Sequence, residues 1–215
     1  MKNKARFTRY SLGEEIFSSV SHGVGTLLAV AATVLVVVFA AVRGNVLGVI
    51  SGAIYGATMV ILYCMSTLYH SITAPRAKKV LRVIDHCSIF LLIAGTYTPI
   101  CMCTLLHHGG IPLLCGIWAA AIFGIVLNAV NLEKFRKVSI IFYVVMGLCV
   151  VVKMNTLLSL LSKNAITFLA LGGAVYLLGI IFYLLKKVKY MHSVWHLFVL
   201  GGSVLHFFFI LLYAV

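Results

Sequence analysis

Stretches of apolar residues free of any charge divide the chain, running over Ile16–Val42, Gly44–Pro75, His86–Leu132, Val138–Val152, Asn164–Leu185 and Tyr190–Val215. About 20 apolar residues in a helix cross the roughly 30 Å of bilayer hydrocarbon, so the third run is long enough for two spans. His107-His-Gly-Gly-Ile-Pro112 interrupts that run where a turn is needed. The pattern therefore predicts seven helices, at approximately 16–42, 46–72, 84–106, 111–131, 138–158, 164–185 and 191–214. The fifth run falls short of a span, and its helix is expected to continue past Lys153, whose ammonium would snorkel to the nearer interface. A re-entrant segment there, leaving six spans, is the alternative.

Composition agrees with this pattern: 63% of the residues are hydrophobic and 10% charged, which places the chain among all-α integral membrane proteins. A net charge of +13 in a soluble chain would suggest a nucleic-acid partner. Here its distribution excludes one. Lys2, Lys4, Arg6 and Arg9 precede helix 1, while Arg76, Lys78, Lys79 and Arg82 lie between helices 2 and 3. Lys134, Arg136 and Lys137 separate helices 4 and 5, and Lys186, Lys187 and Lys189 separate 6 and 7. Only Arg43, Lys153 and Lys163 remain for the other side, so the N-terminus is expected in the cytoplasm and the C-terminus outside, in a multi-pass protein of the cell's inner (cytoplasmic) membrane. No cleavable signal peptide is expected, because the first apolar run is too long. Ser11-Leu-Gly-Glu14 instead reads as a capping box that starts helix 1.

Histidines carry the chemistry. His192 and His196 are spaced so that both imidazoles project from one face of a helix, an arrangement able to hold one zinc ion. By the predicted topology they lie at the same membrane depth as Ser66 and His70, at the end of helix 2, and as Asp85, the only aspartate. Three imidazoles, His70, His192 and His196, leave a tetrahedral zinc one open position for water, as in a catalytic site. Asp85 could deprotonate that water and Ser66 could donate to a developing oxyanion; a solvated helix N-cap is the other reading of Asp85. His86, turned about 100° from Asp85 on a helix, does not easily serve the same centre.

Other features read as structure. Helix 1 carries Glu15, Ser18, Ser19 and His22; Glu15 and His22 share a face and read as a hydrogen-bonded pair tying that helix to its neighbours, a polar strip lining an inner cavity being the alternative. Gly44, Gly48, Gly52 and Gly56 open a ridge for close helix packing, a dimer seam being the alternative use. Pro99 should kink helix 3. Trp118 and Asn128 suggest no site, His107 and His108 read as solvated, and His206 is too deep for the metal and reads as interhelical glue. The six cysteines, Cys64, Cys87, Cys101, Cys103, Cys115 and Cys149, lack metal-finger spacing and read as small buried hydrophobes.

Ser66-Thr-Leu-Tyr-His70, Asp85-His-Cys-Ser-Ile-Phe, Ala94-Gly-Thr-Tyr-Thr-Pro99 and His192-Ser-Val-Trp-His196 resemble the hemolysin III family, the bacterial branch of the progestin and adipoQ receptor group. Glu14-Glu-Ile, Ser21-His22-Gly and Gly202-Ser-Val-Leu-His206 extend the likeness over almost the whole chain. The resemblance implies seven helices and an intramembrane zinc near the cytoplasmic face, held by His70, His192 and His196, with Asp85 contacting its water and Ser66 close by. It also implies kinship with alkaline ceramidases, which hydrolyse lipid amides, and a link to membrane homeostasis.

Three functions compete. A zinc-dependent hydrolase of a lipid amide or ester ranks first, its substrate entering sideways from the membrane. A zinc-stabilised receptor or regulator with a membrane lipid as ligand ranks second. A cytolytic pore ranks last, because a secreted toxin needs a water-soluble form that seven apolar spans do not provide.

Overall fold

The computed structural model describes residues 10–185 and 187–215. Lys2, Lys4, Arg6, Arg9 and Lys186 of the charge pattern lie outside the described residues. Within them the secondary structure is helical throughout: α1 Leu12–Val42, α2 Val46–Ser71, α3 Pro75–Pro99, α4 Gly110–Leu148, α5 Met154–Leu160, α6 Lys163–Leu184 and α7 Met191–Phe209. Six helical stretches are long and apolar enough to cross a membrane, so the chain is an all-helical integral membrane protein.

Burial is inverted relative to a soluble protein. Leu27, Val34, Val130, Ile181 and many other large apolar side chains are exposed on the outside, whereas Glu14, Glu15, Ser18, His22, Ser66, His70 and Asp85 are buried within. The exposed apolar belt faces hydrocarbon. The polar residues are the ones that need partners inside the bundle.

The fourth stretch, Gly110–Leu160, is 51 residues long and is not straight. Asn131 adopts φ −162° and ψ 90°, breaking α4, and its Oδ1 accepts the Lys134 N–H at 3.0 Å as an N-cap would. The limbs on either side fold back on one another: Ser139 donates to Asn128 Oδ1 at 2.6 Å, and the rings of Phe123 and Phe142 lie 5.7 Å apart. Asn128 is thus a pin for this hairpin. Beyond Leu148 the chain stays helical through a 3₁₀ turn at Cys149–Lys153 into α5, so the predicted continuation past Lys153 is present.

Two expectations are corrected. Helix α3 begins at Pro75 rather than near Ile84, and the basic residues expected in loops after helices 2 and 4 are helical. Lysine and arginine are good helix formers, and Pro75 supplies the favoured first-turn φ, so the helix runs on beyond its apolar part. Asp85 therefore lies well inside α3, whose N-cap is Ala74, and is not a solvated N-cap. The cysteines are all free, but only Cys101 is fully buried and Cys115 is exposed, where an apolar lipid face tolerates a thiol.

Pro99 acts as expected on α3, which widens into a π turn at Ile100–Thr104. The glycine ridge is consumed inside the bundle. Gly48, Gly52 and Gly56 lie against Asn45 and Ala40, Val36 and Thr33 respectively, which brings α2 onto α1, while Gly44 sits in the turn at φ 69°. His206 accepts its predicted role, its Nε2 lying 3.2 Å from the Leu169 carbonyl of α6. His107 and His108 in the α3–α4 turn are exposed, as expected.

A Cβ on Gly56 would lie 2.6 Å from the Thr33 Cβ, a clash that no rotamer relieves. Gly56→Val is expected to destabilise the protein by about 1–3 kcal/mol in thermal unfolding in detergent. Gly116→Ala, with nothing within 4 Å, is expected to leave the transition nearly unmoved.

Candidate metal centre

The site forms where α2 ends and α7 begins, and α1 fixes both. Ser11 caps α1 as predicted: its Oγ accepts the Glu14 N–H at 3.4 Å, and its own N–H donates to Glu14 Oε2 at 2.8 Å. The second carboxylate oxygen, Oε1, accepts the Tyr190 N–H at 2.8 Å. Tyr190 has φ 64°, a conformation rarely adopted by so bulky a residue, and it immediately precedes α7. One carboxylate therefore caps α1 and holds the strained entry to α7. A turn further on, Ser18 Oγ and Ser193 Oγ are 3.0 Å apart, and Ser193 also donates to the Glu14 carbonyl at 3.3 Å.

This registry brings together the three histidines that the sequence singles out. His70, His192 and His196 each offer a ring nitrogen, and the three atoms lie within 4.8 Å of one another. His192 Nε2 and His196 Nε2 are 3.2 Å apart. A tetrahedral zinc with bonds of about 2.0–2.1 Å sets two ligand nitrogens about 3.3–3.4 Å apart, close to that separation.

The outward nitrogens of His70 and His196 are engaged, and their inward ones face the centre. His70 Nδ1 lies 2.7 Å from Glu15 Oε2 while its buried Nε2 has no partner. His196 Nδ1 faces the Ser18 carbonyl at 3.4 Å, which leaves Nε2 toward His192. A second-shell acceptor on one imidazole nitrogen fixes the tautomer that presents the other to a metal. An unsatisfied buried nitrogen costs about 1–3 kcal/mol, which a cation at this point would offset. The donor set fits zinc: three imidazole nitrogens and no thiolate, two of the rings bordering a cavity.

Aromatic packing holds the rings. Tyr10 stacks on His192 with centroids 4.6 Å apart and an interplanar angle of 12°, and His22 stacks on His196 at 3.7 Å and 16°. Sequence reasoning placed His22 and Glu15 in one strip, but they part company: Glu15 turns to His70, and His22 lies flat against His196. Nothing in the sequence signals Tyr10, because its position depends on the chain bending back over α7.

Asp85, Ser66, His22, His192 and His196 line one cavity of about 370 Å³, within the range of small-molecule sites. Asp85 and Ser66 are buried side by side, and Ser66 Oγ makes no hydrogen bond of ordinary geometry. His86, despite its helical angle from Asp85, reaches the same cavity. Its ring curls back so that Nδ1 lies 2.9 Å from the Arg82 carbonyl and 3.4 Å from Asp85 Oδ2, and it too lines the cavity. Most of the remaining wall is apolar, including Leu92, Ile93, Leu148, Val151, Leu169 and Leu177. A second cavity of about 380 Å³, bordered by Tyr10, Glu14, Lys187 and Lys189, shares His86 and His192 with the first. His86 and His192 thus stand between an apolar chamber and a polar one.

Fold and site define an all-helical membrane protein with a candidate three-histidine metal centre. A family model described as haemolysin-III related matches residues 10–207. The chain is 41% identical over 206 residues to the hemolysin-3 homolog of Bacillus subtilis (strain 168), covering 96% of this chain and 97% of that one. It is 39% identical over 210 residues to hemolysin-3 of Bacillus cereus, covering 98% and 95%. A more distant likeness, 29% over 170 residues, joins it to the human monocyte to macrophage differentiation factor, with 74% of this chain and 68% of that one covered. The chain belongs to the haemolysin-III related family.

Metal analysis of protein purified without chelators is expected to find about one zinc per chain. His196→Ala should lose it, whereas His108→Ala, at the exposed α3–α4 turn, should keep it.

Proposed function

We propose that this protein is a zinc-dependent intramembrane hydrolase of a lipid amide or ester, linked to membrane homeostasis, with His70, His192 and His196 as metal ligands and Asp85 and Ser66 as catalytic residues. One observation carries the reading: three imidazoles from α2 and α7 converge on one point, and two of them, His192 and His196, line an apolar cavity that also holds a buried carboxylate. In this reading the two limbs of α4 are separate spans, giving seven. Their length and the basic residues at one end of the bundle support a cytoplasmic N-terminus, an external C-terminus and a site near the inner face of the cytoplasmic membrane.

Zinc at the three imidazoles would supply a Lewis acid toward a carbonyl and make water nucleophilic near neutral pH. Asp85 takes the proton that the attacking water gives up and returns it to the departing amine or alcohol, as the carbon–nitrogen or ester carbon–oxygen bond breaks and the new carbon–oxygen bond forms. The Ser66 hydroxyl donates to the carbonyl oxygen as it gains charge, in surroundings that strengthen such a bond. The apolar wall holds an acyl chain. The polar chamber beside His192 gives water access.

The entry route is supported by the same cavity. Val151, Ala174 and Leu177 line it and are exposed on the outer surface, and α6 packs along α7 while barely touching α4. A lipid can therefore approach between α4–α5 and α6 without leaving the membrane.

Regulation without catalysis is the second reading. It is favoured by the way the site joins α2 to α7 while Glu15 and Ser18 tie α1 to both, so that a bound metal would fix three helices against one another. A cellular phenotype that persists in an Asp85→Ala protein with zinc still bound would favour this reading over hydrolysis.

Purified protein offered a panel of lipid amides and esters is expected to turn over at least one class. Asp85→Ala should slow that turnover about 10²–10⁴-fold without releasing zinc. Absence of turnover over the whole panel contradicts hydrolysis. Ala174→Trp, which narrows the side opening, should impair long-chain substrates more than short-chain ones; equal loss on both would place entry elsewhere.

A further inference from the structure

Lys78 is the least expected side chain in the bundle. Its neighbours Arg76 and Lys79 are exposed, as a basic cluster at a membrane surface should be, but Lys78 is only 5% exposed. Its Nζ donates to the carbonyls of Tyr69 at 3.0 Å and Ile72 at 3.3 Å and lies 4.9 Å from the centre of the Tyr69 ring. Tyr69 and Ile72 flank His70 at the end of α2, where helix carbonyls lack intrahelical partners. The same Nζ is 2.9 Å from Glu15 Oε1, and the other Glu15 oxygen is 2.7 Å from His70 Nδ1. Three helices are thus joined through a single line, from Lys78 of α3 to Glu15 of α1 to His70 of α2.

Stability alone does not account for this line. Replacing a buried ion pair by apolar side chains of similar size is often neutral or stabilising, while removing one partner strands the other and is strongly destabilising. The pair must be judged by what it does to its third member. An ionised carboxylate only accepts hydrogen bonds, so the Nδ1 that faces it carries the proton and Nε2 keeps its lone pair. That Nε2 is the nitrogen turned toward His192 and His196.

We propose that Glu15 and Lys78 are positioning residues for the metal: Glu15 fixes the tautomer and orientation of His70, and Lys78 holds Glu15 in place while gripping the backbone on either side of that ligand. The inference rests on His70 being a metal ligand and not on hydrolysis. Its test reads zinc affinity and so stands apart from any result with lipids.

Zinc affinity is measured by competition with a chromophoric chelator, and unfolding temperature is measured on the metal-free protein, for wild type, Glu15→Gln, Lys78→Met and the double variant. Each single variant should bind zinc about 10- to 100-fold more weakly. The double variant, with both buried charges gone, should recover most of the unfolding temperature while its affinity stays at least tenfold down. Affinity that recovers in step with stability would reduce the pair to a structural tie and overturn the proposal. So would single variants with wild-type affinity, and a wild type that binds no zinc would remove the ligand on which it is built.

Discussion

A bilayer offers no water to an imidazole, and that constraint organises one end of this molecule. Each buried ring presents two nitrogens, and a nitrogen without a partner costs as much as a lost hydrogen bond. The protein satisfies the outer nitrogens of His70 and His196 with Glu15 and the Ser18 carbonyl, and turns the inner ones toward each other and toward His192. The architecture follows from meeting this demand. Helix α1 contributes no predicted ligand, yet it holds the site together, because Glu14 caps its own helix and the entry to α7 while Glu15 reaches α2.

Packing and polarity are divided between the two ends of the helices. Where α1 and α2 lie together away from the site, glycines against Ala40, Val36 and Thr33 let backbones approach closely. At the site the contacts are hydrogen bonds and stacked rings, which fix direction as well as distance. The cavity extends from this polar end into an apolar region between α4 and α6, which barely touch. A polar centre opening onto an apolar chamber is what chemistry on a membrane lipid requires, and the proposed function follows from that juxtaposition.

Much of this was legible in the sequence. The turn at Gly109, the capping box at Ser11 and the i, i+4 pairs Ser66/His70 and His192/His196 all depend on local spacing, which a sequence displays directly, whereas Gly44, read as part of the packing ridge, proved to be a turn residue. The charge pattern brought His70, His192 and Asp85 to one depth, although depth alone did not make their helices neighbours. What escaped was set by tertiary contact. Lys78 looked like any other residue of a basic loop, because only the fold turns its ammonium inward to Glu15. The start of α3 was misplaced for a related reason: apolar periodicity marks where a helix meets lipid, not where its hydrogen bonding begins. Glu15 was visible as a carboxylate in an apolar segment, but its partner proved to be His70 on the next helix and not His22 on its own.

The account depends on a cation bound by imidazole nitrogen alone among the side chains named. X-ray absorption at the zinc edge of the purified protein tests this most directly. The account predicts a first shell of nitrogen and oxygen at about 2.0–2.1 Å with the outer-shell scattering of imidazole rings. A sulfur shell near about 2.3 Å, or no zinc edge in protein prepared without chelators, would contradict it.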